Sequence, residues 1–193
     1  MVTLALALLL HGCAQRIQVH APTTASTTAT LTMSACGRVV AGPFPARVGY
    51  RGLSAHHREG DGTTPLGAFA VGPTVFGLDP PPRLHLRYHR LRCGDWWDED
   101  PTSPAYDTFR HVPCGTAPPF RGGSEALWRA RVAYRLFAVV EANPRRVPGL
   151  GSGIFLHVDT GNATNGCISL RRDRLLDVLR LLEPGATISI SAA

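Results

Sequence analysis

His157 and Cys167 stand ten residues apart in the stretch GIFLHVDTGNATNGCISL, Gly153 to Leu170. In an extended chain Ile154, Leu156 and Val158 share one face, while Phe155, His157 and Asp159 share the other. The apolar set can then enter a core and present His157 near the end of the strand. TGNATNG, residues 160–166, is seven consecutive small or turn-forming residues, enough to reverse the chain. The return segment sends Ile168 and Leu170 one way, and Cys167 and Ser169 the other. A hairpin of this kind is expected to bring Cys167 alongside His157. A free thiol titrates near pH 8.5, and a neighbouring imidazole can take its proton to make a thiolate nucleophile. Gly166 leaves room for a substrate carbonyl, and the N–H groups of Gly166 and Cys167 are candidate oxyanion donors. The pattern alone leaves a second reading open, with His157 a satisfied strand histidine and Cys167 a small buried residue.

The order of the two residues separates chemistries. Papain-like proteases place cysteine first and histidine far downstream. Sortases place histidine first, but with a much longer gap and an arginine on a following strand, a spacing absent here.

Several elements must position this pair. Thr28, Thr30 and Thr32 alternate with Ala29, Leu31 and Met33, the period of a half-buried strand. GRVVAGPFPARVG reads as a second extended segment, broken by prolines and therefore an edge or a bulge. REGDGTTPLGAFAVG sets a turn before a short strand, Ala68 to Val71. The chain from Pro80 to Phe120 reads as irregular. SEALWRARVAYRLFAVVEAN is expected to be the one long helix, capped by Ser124, with Leu127, Ala130, Tyr134, Phe137 and Val140 along one face. After the His157 strand and the Cys167 segment, a second helix is expected from about Arg172 to Glu183, and ATISIS as a closing strand. The expected fold class is mainly β, one sandwich or open barrel with two helices packed on it.

Bulk properties bound the function. A chain of 193 residues suits one domain with a sizeable core. Its net charge of +6 comes from 20 arginines and no lysine, which favours anionic partners such as a cell wall or acidic lipid. The arginines do not cluster with interleaved aromatics, so nucleic acid is not an expected partner. No nucleotide loop, haem motif or dinucleotide fingerprint occurs, and no cofactor is expected.

MVTLALALLLHGC is too short an apolar run to span a bilayer and suits the core of a secretion signal. Its Leu-His-Gly-Cys ending resembles a lipoprotein processing site, which would leave Cys13 lipidated and the protein membrane-anchored. Residues 1–13 are thus read as a signal segment, 14–24 as a polar tether and 25–193 as the catalytic domain of an exported, monomeric envelope protein. In that compartment Cys93 and Cys114 are expected to form a disulfide. Zinc is the rival reading, since His85, His89 and Cys93 recur every four residues and His111 lies three before Cys114. Cys36 is left as a buried thiol.

HVDTGNATNGCISL resembles the active-site segment of the L,D-transpeptidases, the YkuD-type enzymes of bacterial peptidoglycan, in which a histidine precedes a Ser/Thr-His-Gly-Cys motif. REGDGTTPLGAFAVGPTVFG resembles the Asp-Gly-x-Thr-Pro-x-Gly turn and strand of that domain. YHRLRCGDWWDEDPTSPAYDTF and SEALWRARVAYRLFAVV look like an actinobacterial branch of the family. The resemblance implies that Cys167 attacks the L-to-D bond of a peptidoglycan tetrapeptide stem with His157 as general base. D-alanine would leave, and an amine of another stem, or water, would resolve the thioester. A non-catalytic wall-binding module is the reading from another class.

Thr164 matches the Ser/Thr of the motif, but Asn165 stands where a second histidine is usual and Ser169 where many members carry arginine. Thr164, Asn165 and Ser169 are therefore expected to touch substrate. Asp98 and Glu99, around Trp96 and Trp97, are expected to form a cleft wall that attracts the acceptor amine. Arg58 and Glu59 read as a surface pair.

Overall fold

The computed structural model describes residues 13–193. The apolar run read as a secretion signal lies, up to residue 12, outside the described residues. Among the described residues there are fourteen strands and one α-helix of ten residues. They are β1 (Gln15–Ala21), β2 (Thr28–Ala35), β3 (Arg38–Arg47), β4 (Leu53–Ser54), β5 (Thr64–Pro65), β6 (Gly67–Gly77), β7 (Arg87–Arg90), β8 (Asp95–Asp98), β9 (Thr108–His111), β10 (Glu125–Ala126), β11 (Phe137–Val140), β12 (Phe155–Val158), β13 (Ile168–Leu170), α1 (Arg172–Leu181) and β14 (Thr187–Ala192).

The main sheet runs β11-β12-β13-β3-β2-β1-β14-β6-β7, and β11 pairs again with β6. That second pairing closes eight of the strands into a ring and leaves β7 outside it. The mainly β architecture agrees with the sequence reading, and closure removes the exposed edges an open sheet would carry.

Two apolar clusters lie on opposite faces of part of this wall. Along β11, Ala138 and Val140 join one cluster with Ile17, Leu31, Leu156, Leu170 and Ile188. Phe137 and Val139 join the other with Phe76, Trp97, Tyr134 and Phe155. Both β11 and β12 are buried at every position, which is why their sequences run apolar without alternation. The second cluster is aromatic: Phe137 and Phe155 have ring centroids 4.6 Å apart, and Trp97 meets Phe155 edge-on at 5.1 Å. Trp97 belongs to a small sheet of order β10-β8-β9, which covers the outer face of the wall.

The expected long helix does not form. Residues 124–143 instead make β10, two 3-10 turns (Leu127–Arg129 and Ala133–Arg135) and β11. Its helical spacing of apolar residues is produced by two different burials in sequence. Leu127 and Tyr134 enter the aromatic cluster from the turns. FAVV then pairs on both sides, with β6 and β12. The second expected helix is present as α1, presenting Leu175, Val178 and Leu179 to the core.

The expected tether is not a tether. β1 pairs parallel with β14 and antiparallel with β2 at the centre of the sheet, and its Ile17 and Val19 are fully buried. The Ile17, Val19, Ala21 alternation is a strand pattern set among polar residues that face outward. The stretch from residue 80 to 120, expected to be irregular, carries β7, β8 and β9.

Two disulfides join Cys13 to Cys36 and Cys93 to Cys114. The second was expected, and it occupies both sulfurs that a zinc site there would need. The first corrects the reading of Cys36 as an unpaired thiol. It also engages the one sulfur of Cys13 through which a lipid would be attached. Closing loops of this length stabilises by about 3 kcal/mol each on the chain-entropy account.

Ile17→Ala is expected to cost about 2–4 kcal/mol, as for other fully buried large-to-small changes. Chemical denaturation measures it, and a stability equal to the parent's would contradict the central position of β1.

Candidate active site

β12 and β13 lie parallel, with Leu156 opposite Ile168, His157 opposite Ser169 and Val158 opposite Leu170. The expected hairpin is therefore absent. The loop after β12 carries the chain back to that strand's starting end, and it does so along the segment that follows β3. Thr164 N–H donates to Val48 O at 2.9 Å, and Tyr50 N–H donates to Thr164 O at 2.8 Å.

Thr164 also ties the turn itself. Its hydroxyl donates to Cys167 O at 2.6 Å and accepts from Gly166 N–H at 3.2 Å. Thr164 is thus a buried brace of the loop. The Gly166 N–H, expected to serve as an oxyanion donor, is spent on it. Gly166 has φ +136°, and a Cβ there would stand 2.9 Å from Thr63 O, so the approach of the two segments requires glycine.

The parallel register sets Cys167 beside Phe155, with His157 two residues further along the same face. That is roughly 7 Å along the strand at a rise near 3.3 Å per residue. The Cys167 sulfur accepts the Phe155 N–H at 3.3 Å and faces Gly153 O at 3.3 Å. Burial pushes the thiol well above its usual range, and the Glu125 and Glu99 carboxylates push it further.

His157 is 7% exposed, and its Nδ1 donates to Val158 O at 2.8 Å. A carbonyl can only accept, so Nδ1 carries the hydrogen and Nε2 of the neutral ring holds the lone pair. Burial lowers the imidazole's pKa and favours that neutral form.

Cys167 opens on a cavity of about 540 Å³ that is also lined by Asn165, Tyr50, Glu59, Glu99 and Glu125, with no arginine or histidine in its wall among the described residues. Glu59 is exposed, and from the rim of this cavity it accepts hydrogen bonds from the Tyr106 hydroxyl and, at 2.8 Å, from Ser152. Glu99 is pushed up to about 9, by burial first and then by Glu125, Glu59, Asp107 and Asp98. Asp107 is raised to about 6 by burial, against the Gly153 N–H and Trp97 Nε1 bonds that favour its charge.

Of the expected cleft wall only Glu99 faces this cavity. Asp98 is fully buried and accepts from the Ser103 hydroxyl at 2.6 Å. Trp97 lies in the aromatic cluster, and Trp96 packs edge-on to Trp128 and Phe120. Ser169 is buried 3.4 Å from the Asp159 carboxylate, which pairs with Arg47. His89 and His111, the candidate metal ligands, both bond the buried Asp95, at 2.8 and 2.7 Å.

Tyr50, Glu125, Tyr134 and Ser152 went unseen in the sequence. Each stands in a segment with no motif of its own, and only the pairing of β8 with β10 brings Glu125 to the cavity. Glu59 had a signal in its position beside the Asp61-Gly62 turn.

Glu99 holds its proton in the folded protein up to about pH 9 and would lose it near 4.5 when unfolded. Its contribution to stability is therefore full below the unfolded value and is lost as pH rises between the two. Thermal melts across that window are expected to fall less steeply for Glu99→Gln than for the parent. An equal slope would show that Glu99 is ionised in the cavity.

Comparison with known proteins adds the lineage. Nothing among curated proteins matches the chain. A solved structure, L,D-transpeptidase 1 of Mycobacterium tuberculosis, aligns at 16% identity and a TM-score of 0.43, covering 93% of this chain. This chain spans 62% of the length of that one. A family model described as the L,D-transpeptidase catalytic domain matches residues 17–190. With nearly the whole described chain inside that match, the protein belongs to the YkuD family of L,D-transpeptidase catalytic domains.

Proposed function

We propose that the protein transfers peptidoglycan stem peptides through a thioester on Cys167. The observation that carries this reading is the one free thiol, opening on a cavity and sharing a sheet face with a neutral imidazole whose Nε2 lone pair is available. Cys167 Sγ attacks the carbonyl of the L-to-D bond in a tetrapeptide stem, and its proton passes to His157 Nε2. The tetrahedral oxyanion is met by the Cys167 N–H, since that of Gly166 is engaged by Thr164. Collapse of the intermediate breaks the C–N bond, and the imidazolium returns the proton to the departing D-alanine amine. A side-chain amine of a second stem then attacks the thioester, His157 takes its proton, and the thiol is released.

The cavity suits such an amine as acceptor. Burial raises Glu99 to about 9 and raises Glu125 as well, and a cationic group among these carboxyls would favour their ionised forms. Asn165, exposed at the mouth, is the one residue of the motif left to touch a stem. The two disulfides fit the oxidising space outside the cell membrane, where the family's substrate lies.

Intact-mass spectrometry with a tetrapeptide-stem muropeptide tests the reading. The parent is expected to gain an acyl adduct and release D-alanine, and Cys167→Ala to do neither. A second stem consumed in the product means transfer, whereas tripeptide released without it means hydrolysis on the same acyl-enzyme. A folded parent with reduced Cys167 that forms no adduct would leave a wall-binding module as the better account.

A further inference from the structure

We infer that Glu125, held by the Tyr134 hydroxyl, is a positioning residue that keeps the Cys167 thiol protonated until substrate enters. The inference rests on Cys167 being the nucleophile. It starts from a feature of the site that the catalytic pair does not explain: thiol and imidazole make no direct hydrogen bond, and they line different cavities. Cys167 faces the large acidic one and His157 a neighbouring one of about 440 Å³. Glu125 lines both.

Tyr134 fixes the carboxylate in that place. Its hydroxyl donates a short hydrogen bond to Glu125 Oε2. Its ring is wedged into the aromatic cluster, 4.9 Å from Phe137, edge-on to Phe155 at 5.6 Å and edge-on to His157 at 6.1 Å. A ring clamped by those strand residues cannot swing away without opening the cluster, so the carboxylate is held at the boundary between nucleophile and base.

The surroundings of the thiol explain the consequence. From β12 and the loop before it come only the Phe155 N–H and the Gly153 carbonyl. From β10 comes Glu125, from the end of β8 Glu99, and across the cavity Glu59 and Tyr50. Arg129 lines the cavity of His157 and not that of the thiol. Among the described residues every ionisable side chain apart from Tyr50 and the thiol that lines the thiol's own cavity is therefore a carboxyl. At the alkaline pH where a buried thiol titrates, Glu125 is ionised and opposes the thiolate. An ammonium group of a substrate placed among these carboxylates would offset that opposition, so the nucleophile would be freed where the acceptor or donor stem is bound.

The test is the pH profile of Cys167 alkylation by iodoacetamide, read by intact mass; the remaining four cysteines are in disulfides. Glu125→Gln keeps the shape and an acceptor for Tyr134 but removes the charge. Its alkylation midpoint is expected to fall by about one pH unit, giving about tenfold faster alkylation at a fixed pH below the midpoint. Tyr134→Phe removes the bond that holds the carboxylate at the boundary and lets it swing towards solvent, which is expected to move the midpoint the same way by less. A Glu125→Gln midpoint equal to the parent's, in a protein that melts at the parent's temperature, overturns the inference. Should Glu125→Gln fail to fold, an unshifted midpoint in Tyr134→Phe overturns it instead. Alkylation needs no stem peptide, so the two readings fail separately. A shifted midpoint without any acyl adduct removes the transferase reading alone, and an adduct with an unshifted midpoint removes the role of Glu125 alone.

Discussion

The parallel pairing of β12 with β13 is the constraint on which the site depends. Two strands pointing the same way cannot be joined by a tight reversal, so the loop between them must travel the length of β12 before β13 can begin. It finds hydrogen-bond partners for that journey at Val48 and Tyr50, beyond the end of β3. Thr164 spends its hydroxyl on the last turn, bonding both Gly166 and Cys167. The register that results puts Cys167 level with Phe155 and gives His157 a buried serine for a neighbour. An antiparallel hairpin would have set thiol against imidazole directly. The parallel one sets them on one face with a gap that Glu125 and Tyr134 border.

A second constraint is the layer outside the barrel wall. The small sheet of β8, β9 and β10 covers the aromatic face of β11 and β12 and in doing so takes carboxylates and thiol out of water together. A protein with a net charge of +6 thereby has an acidic cavity at its candidate nucleophile. Burial raises the proton affinity of Glu99, of Glu125 and of the thiol alike. Glu99 and the thiol are consequently protonated at rest, which is the cheaper state for groups removed from solvent.

Elsewhere the acids have found structural uses. Asp95 holds His89 and His111 at the root of β8, Asp98 closes the turn through Ser103, and Asp107 fastens Trp97 and the backbone of Gly153. These bonds keep the small sheet seated over the wall. They account for residues whose chemistry, seen in a linear chain, resembled a binding loop or a metal site.

The linear chain by itself determined the local facts. The alternation in β2, the amphipathic face of α1, the closing strand β14, the Cys93–Cys114 link and the Gly166–Cys167 turn after a strand histidine were all legible, because each is written in a period or a motif a few residues long. Tertiary structure decided what those facts were next to. FAVV reads as helix in the linear chain because a strand buried on both faces shows no alternation, and its two partners are set by pairing outside the segment. β1 reads as a tether in the linear chain because its partner β14 lies at the far end of the sequence. Glu125 and Tyr134 carried no mark of a site, since the electric field on a thiol depends on which segments fold over it. Direction of pairing and depth of burial are long-range quantities, and the site's protonation and spacing follow from them.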